Sequence, residues 1–234
     1  MNFSTEKTKE FKEIMAAIAS ITEEVTFVAN SEGIKFQGMD PSHVCMMNVD
    51  MEAGAFDSYE CTEDIQFGIR FEEFGEMMKR VKKEPLHFDI EKQKLTTKIG
   101  RTSFKIRLTN GDTPSPIPKL DLDVKFQTYP DAFLKAIGDV KVMSNYFNIR
   151  VKDGMIHLRG KGDGGEANIA FNGKGVEGES GTTDYPIEYT EPIIRAMKNR
   201  EYIAGEFTQA KPLRLMLDTG IGGMDFFVAP RIPQ

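Results

Sequence analysis

Apolar residues recur along this chain at two spacings. Between residues 5 and 20, Phe11, Ile14, Met15 and Ile18 fall at i, i+3, i+4 and i+7, the single stripe of an amphipathic helix. Lys7, Lys9 and Lys12 lie elsewhere on that helix, and Ser4 or Thr5 is placed to cap its start. Alternation follows. V-T-F-V-A, a turn at N-S-E-G and then I-K-F-Q predict a hairpin, and V-C-M-M-N-V-D-M and I-Q-F-G-I continue as strands. A second helix fits residues 71–83, with Phe71, Phe74, Met78 and Val81 as its buried stripe and Pro85 ending it. L-H-F-D-I, K-L-T-T-K-I and S-F-K-I-R-L read as strands, with Gly100 turning the chain between the last two.

The texture then breaks. N-G-D-T-P-S-P-I-P-K-L-D-L-D is too rich in proline for a helix or a central strand and reads as an extended connector. Beyond it the pattern restarts. Phe133, Ala136, Ile137 and Val140 repeat the first helical stripe, each 122 positions later, and Gly154 follows Gly33 by 121. A fourth helix is predicted at 190–200, with Pro192 in its first turn, and strands at 203–207, 213–217 and 224–229 close the chain. The expected organisation is therefore duplicated: a domain over 1–112, a connector over 113–124 and a second domain over 125–234.

Composition changes this picture little. The 234 residues are 40% hydrophobic and 28% charged, ordinary for a globular chain, and no apolar run approaches the roughly 20 residues that span a bilayer. Cys45 and Cys61 lie in apolar segments and read as buried free thiols, with a disulfide as the alternative. The net charge of −6 opposes a protein that grips nucleic acid with its whole surface. It allows one whose cations are gathered on one face. Residues 71–83 and 190–200 carry a net excess of basic side chains, Lys79, Arg80, Lys82, Lys83, Arg195, Lys198 and Arg200 among them, so the helices read as mildly basic and the remainder as acidic.

Residues 38–51, G-M-D-P-S-H-V-C-M-M-N-V-D-M, place Asp40, Ser42, His43 and Cys45 within six positions. A nucleophile, base and orienter must converge on one point, which near-neighbours in a single turn seldom do. No G-x-S-x-G, C-x-x-C or H-E-x-x-H supplies the missing partners, and His87 and His157 sit in alternating strand patterns. G-K-G-D-G-G at 160–165 lacks the order of a phosphate loop and reads as a turn, and 172–184 as a mobile surface loop. No catalytic residue, metal site or cofactor is expected. The rival reading is a metal-dependent hydrolase using Asp40, His43 and Cys45.

G-I-K-F-Q-G-M-D-P-S-H-V, F-D-S-Y-E-C at 56–61 and the closing P-L-R-L-M-L-D…M-D-F-F-V-A-P-R-I resemble the sliding clamps of the proliferating cell nuclear antigen family. The resemblance covers nearly the whole chain. It implies an α+β fold of two similar clamp domains, each with antiparallel sheets outside and two helices lining the hole of a ring, and it implies a homotrimer around double-stranded DNA. The implied role is that of a polymerase processivity factor and docking platform, not an enzyme. The implied DNA-facing residues are Lys12, Lys79, Arg80, Lys82, Lys135, Lys141, Arg195 and Lys198.

In that family polymerase, flap nuclease, ligase and clamp loader dock through short motifs that insert an apolar plug into a pocket. The matching positions are Met39, His43, Val44, Met46, Leu120, Leu122, Pro212, Phe227, Val228, Ala229 and Pro230. The subunit contact implied is edge to edge, 103–108 against 166–171 of the next copy, with Lys105, Arg107, Glu166 and Ile169 in it and Lys105 and Arg107 facing Glu166 or the acidic 177–179 loop. A heteromeric or checkpoint-type clamp subunit is the alternative within the fold. The short connector and the near-absent tail after Ile232 resemble archaeal or viral members more than animal ones, which would place the protein on DNA in an archaeal cytoplasm, or in a nucleus if the host is eukaryotic.

Overall fold

A computed structural model describes residues 1–113, 116–178 and 183–231. Expectations that fall on Pro114, Ser115, Glu179 and Ile232 lie outside the described residues. The chain divides into two compact units. The first holds Met1–Pro41, Met47–Ile117 and Asp218–Met224; the second holds Ser42–Met46, Pro118–Leu217 and Asp225–Gln234.

The first unit contains β1 (Asn2–Thr5), α1 (Thr8–Ala19), β2 (Glu24–Asn30), β3 (Gly33–Met39), most of β4 (Cys45–Glu52), β5 (Ser58–Glu60), β6 (Ile65–Arg70), α2 (Phe71–Arg80), β7 (Leu86–Glu91), β8 (Lys94–Ile99) and β9 (Thr102–Arg107). Its strands run in the orders β5-β1-β7-β8-β9 and β4-β3-β2-β6. The second unit contains β10 (Val124–Thr128), α3 (Pro130–Lys141), β11 (Tyr146–Lys152), β12 (Met155–Gly162), β13 (Gly165–Asn172), β14 (Lys174–Glu177), β15 (Thr183–Pro186), α4 (Ile187–Ala196), β16 (Ile203–Phe207), β17 (Leu213–Asp218) and most of β18 (Gly223–Val228). Here the orders are β14-β10-β16-β17-β18 and β13-β12-β11-β15. Each strand of one unit has its counterpart at the same place in the other.

The two cores repeat as well. In the first, Phe3 stacks on Phe88 at 4.6 Å between ring centroids, and Phe11 of α1 lies 5.1 Å from the same ring. In the second, Phe133 of α3 sits 6.1 Å from both Phe126 and Phe147. The predicted stripe of α3 is buried throughout, each large apolar side chain contributing about 1.5–3 kcal/mol. The β11–β12 hairpin turns through Asp153 and Gly154, both at positive φ, the backbone that a two-residue hairpin loop requires.

Several elements depart from expectation. Ser4 and Thr5 belong to β1 and not to a helix cap, although the Thr5 hydroxyl accepts the backbone N–H of Lys7 at 3.1 Å. α2 stops at Arg80, because Val81 turns extended and the Glu84 carboxylate collects the N–H groups of Lys82 and Lys83 at 3.2 and 3.0 Å. α4 begins three residues earlier than predicted, so Pro192 lies inside it and not in its first turn. The Ile187 N–H is satisfied by the Asn145 carbonyl at 3.0 Å, which fixes that start. Part of 172–184, expected as a mobile loop, is the strand β14, pairing Lys125 with Glu177 and Gln127 with Lys174.

Candidate docking surface and nucleic-acid face

Of the expected docking positions, Val44 and Ala229 are brought together where the chain after β18 returns past Val44. His43 takes a left-handed backbone at φ 59, which ends the Asp40–Pro41–Ser42 turn, and the Val44 carbonyl then accepts the Ala229 N–H at 2.7 Å. Farther along, the Arg231 N–H bonds to the Asp184 carbonyl at 2.8 Å while its guanidinium lies 4.6 Å over the Tyr146 ring. The segment is thereby pinned at both ends. The connector is anchored by Asp123, whose N–H donates to the Thr208 hydroxyl at 2.8 Å.

Reach divides the expected residues. His43 is exposed, and Val44, Leu120, Pro212, Ala229 and Pro230 are half-buried. Met46, Leu122, Phe227 and Val228 are buried, Val228 completely. The Val228 side chain is enclosed by the core and is not presented at the surface. Phe227 is held from the other side by Arg214, whose guanidinium stands 5.7 Å from the ring centroid and is itself fixed by Glu206 at 3.1 Å and Asp225 at 2.7 Å. Met39 belongs to the first unit and is half-buried.

The cations expected to face DNA fall into two groups. Lys12 donates to the Val81 carbonyl, Lys79 pairs with Glu76, and Lys141 and Arg195 converge on Glu191, Lys141 at 2.6 Å. Arg80, Lys82, Lys135 and Lys198 are exposed and make no side-chain ion pair among the described residues. The hydrogen bonds from Lys141 and Arg195 hold the Glu191 carboxyl below the usual carboxylate range. Sequence reading missed these counter-charges, although i,i+3 and i,i+4 spacing marks Glu76–Lys79 and Glu191–Arg195. It also misplaced the charge. α2 carries two basic and three acidic side chains and α4 one and two, so the helices are not basic. The cations lie at the helix C-termini and in the segments just after them, where the macrodipole favours them.

The expected contact strands are both outermost in their sheets. β9 ends one sheet of the first unit, and β13 ends one sheet of the second. Lys105 and Arg107 are exposed on β9, and Ile169 is half-buried on β13. Glu166 already accepts hydrogen bonds from Arg159 and from Asn168, the latter at 3.2 Å, so it is less available to a neighbour's cation than the sequence suggested. The Arg159 guanidinium holds its carboxyl low.

The hydrolase reading finds no constellation. Asp40 is buried, His43 is exposed and the Cys45 thiol is in the interior, with its sulfur 3.9 Å from the Met46 carbonyl. Among the described residues no three His, Cys, Asp or Glu side chains are grouped to hold a metal. Both cysteines are buried, and neither forms a disulfide.

Residues 2–95 match the profile of the proliferating cell nuclear antigen N-terminal domain. The DNA polymerase sliding clamp of Nitrosopumilus maritimus is 38% identical over 240 residues, covering 97% of each chain. That of Cenarchaeum symbiosum is 39% identical over 241 residues, again covering 97% of each. Among solved structures, the proliferating cell nuclear antigen of Thermococcus kodakaraensis superposes with a TM-score of 0.92 at 21% identity, over 98% of this chain and 99% of that one. An A. fulgidus homologue bound to the C-terminal region of FEN-1 gives 0.88 at 21% identity, over 100% and 99%. At 38–39% identity to two archaeal clamps over 97% of its length, the chain belongs to the DNA polymerase sliding clamps of the proliferating cell nuclear antigen family.

Proposed function

We propose that the protein is a non-enzymatic sliding clamp: copies close into a ring around duplex DNA, hold a polymerase on its template and dock other replication and repair proteins. The observation that carries this is the duplicated unit, in which the same strand order and the same pair of packed helices occur twice in one chain. Ring closure through β9 of one copy and β13 of the next covers two sheet edges that would otherwise invite aggregation. Four exposed cations, Arg80, Lys82, Lys135 and Lys198, supply a weak sequence-independent attraction, and four more damped by internal partners keep it weak. That suits sliding, since each tight phosphate contact would have to be broken at every step.

Docking uses a rim of the exposed His43 and the half-buried Val44, Leu120, Pro212, Ala229 and Pro230, over the buried Met46, Leu122 and Phe227. A methionine-lined apolar floor adapts to several inserted plugs. The FEN-1 peptide on the A. fulgidus homologue supports this mode. None of the described helices is long and apolar enough to cross a membrane. Work on DNA in an archaeal cytoplasm fits the relatives.

Light scattering during size exclusion, with a polymerase extension assay on circular template, tests the reading. A trimer that lengthens extension products is expected. A monomer that does so only with a second clamp chain would establish the heteromeric alternative, for which a two-component complex from Sulfolobus tokodaii, TM-score 0.84 at 22% identity over 99% of each chain, is a precedent of fold. No lengthening in either form would overturn the proposal.

A further inference from the structure

The sheet β13-β12-β11-β15 has two unlike faces. Ile149, Val151, Ile156 and Leu158 are buried on the side where α3 packs. On the other side lies an open groove of about 350 Å³ lined by Asn148, Arg150, Lys152, His157, Arg159 and Asn168, with Ala170 at its floor. No carboxylate lines it, in a chain of net charge −6. Register sets the pattern. Arg150 stands opposite His157, which stands opposite Ala170; one row away, Asn148, Arg159 and Asn168 line up in the same order. Arg150, Lys152 and the adjoining Lys161 are exposed and make no side-chain ion pair among the described residues. Arg159 alone is paired, with Glu166, in a surface contact that an incoming anion could replace.

We propose that this face binds an extended acidic peptide of a partner protein, with Asp or Glu at alternate positions. Side chains on one face of a strand repeat about every 6.8 Å, and so do those of an extended peptide. Alternate carboxylates therefore run in step with Arg150 and Lys152, or with Arg159 and Lys161. Asn148 and Asn168 donate to Asp184 at 3.1 Å and to Glu166 at 3.2 Å beside the groove, which leaves their amide oxygens to accept peptide N–H groups. Single-stranded nucleic acid is the less suited anion, because its binding surfaces stack bases on aromatic rings and no aromatic side chain lines this groove. The surface is distinct from the docking rim and from the cations assigned to DNA.

The test is fluorescence anisotropy on the full chain with three labelled probes: a peptide alternating Asp with Ser, a peptide of the same composition with its Asp in one block, and oligo-dT of equal charge. The alternating peptide should bind tightest. Arg150→Glu with Lys152→Glu should weaken it about tenfold or more. Arg150→Gln with Lys152→Gln reads the same loss if the reversed pair fails to fold. Polymerase extension should be unchanged in the variant, which separates this surface from the clamp function. Equal binding of the block peptide, tighter binding of oligo-dT, or unaltered affinity in both variants would overturn the proposal.

Discussion

Lys12 of α1 donates a hydrogen bond to the Val81 carbonyl, 2.7 Å away, at the C-terminal end of α2. An ammonium there meets a carbonyl with no partner inside the helix and the negative end of the macrodipole. Lys12→Met keeps the stem and removes the donor. It should cost about 1 kcal/mol, seen as a lower urea midpoint with an unchanged slope. The same variant should alter the salt dependence of DNA association less than Lys135→Met does. Equal changes in the two would show that Lys12 is free to reach phosphate.

Glu191 damps two cations at once. Its carboxyl is held below the ordinary value of 4.5 by Lys141 and then Arg195. Its contribution to stability is thus present above that value and lost as pH falls through the depressed one. Glu191→Gln should flatten the acid side of the melting-temperature profile below the ordinary carboxylate value of 4.5. At neutral pH it should steepen the salt dependence of DNA association by freeing Lys141 and Arg195. A profile that matches the parent's would sink the assignment.

Phe227 and Leu120 both belong to the proposed docking surface, yet only Leu120 is a clean probe of it. Phe227 is buried beneath Arg214, so Phe227→Ala should cost about 3–5 kcal/mol of stability along with any affinity. Leu120→Asp, at a half-buried connector position, should leave the urea midpoint nearly unchanged. It should weaken a docking-motif peptide about tenfold or more in calorimetry. Full affinity in that variant would move the pocket away from the connector.

Tyr129 and Tyr202 share a hydrogen bond of 2.9 Å between their hydroxyls, with ring centroids 4.7 Å apart. That bond pushes the Tyr202 pKa up to about 12. Tyr129→Phe removes the shared proton, and the Tyr202 ionisation should return toward about 10 in an ultraviolet absorbance titration. An unmoved high-pH transition would mean that the pair does not form in solution.

Much of the fold was legible because its signals are local. The stripes of α1 and α3 and the D-G turn at 153–154 name their own structure. So does the Gly100 turn, at φ 56, between β8 and β9. What escaped were short or boundary features. β1 and β14 have four residues each, too few for a period to show, and they exist because each pairs with strands distant in sequence, β1 with β5 and β7 and β14 with β10. The end of α2 depended on Glu84 folding back onto two backbone N–H groups, and the start of α4 on the distant Asn145 carbonyl.

For the candidate site the sequence determined which residue types are present, their order and the duplicated frame that carries them. It could not decide which of them are reachable. Val228 and Ala229 are adjacent in the chain, yet one is wholly buried and the other bonds to Val44 at the surface. Nor could it show that Lys141 on α3 and Arg195 on α4 meet the same carboxylate. Periodicity reports what one strand or helix does with its own neighbours. Burial and charge pairing depend on residues brought together from distant parts of the chain, and those only the tertiary structure places.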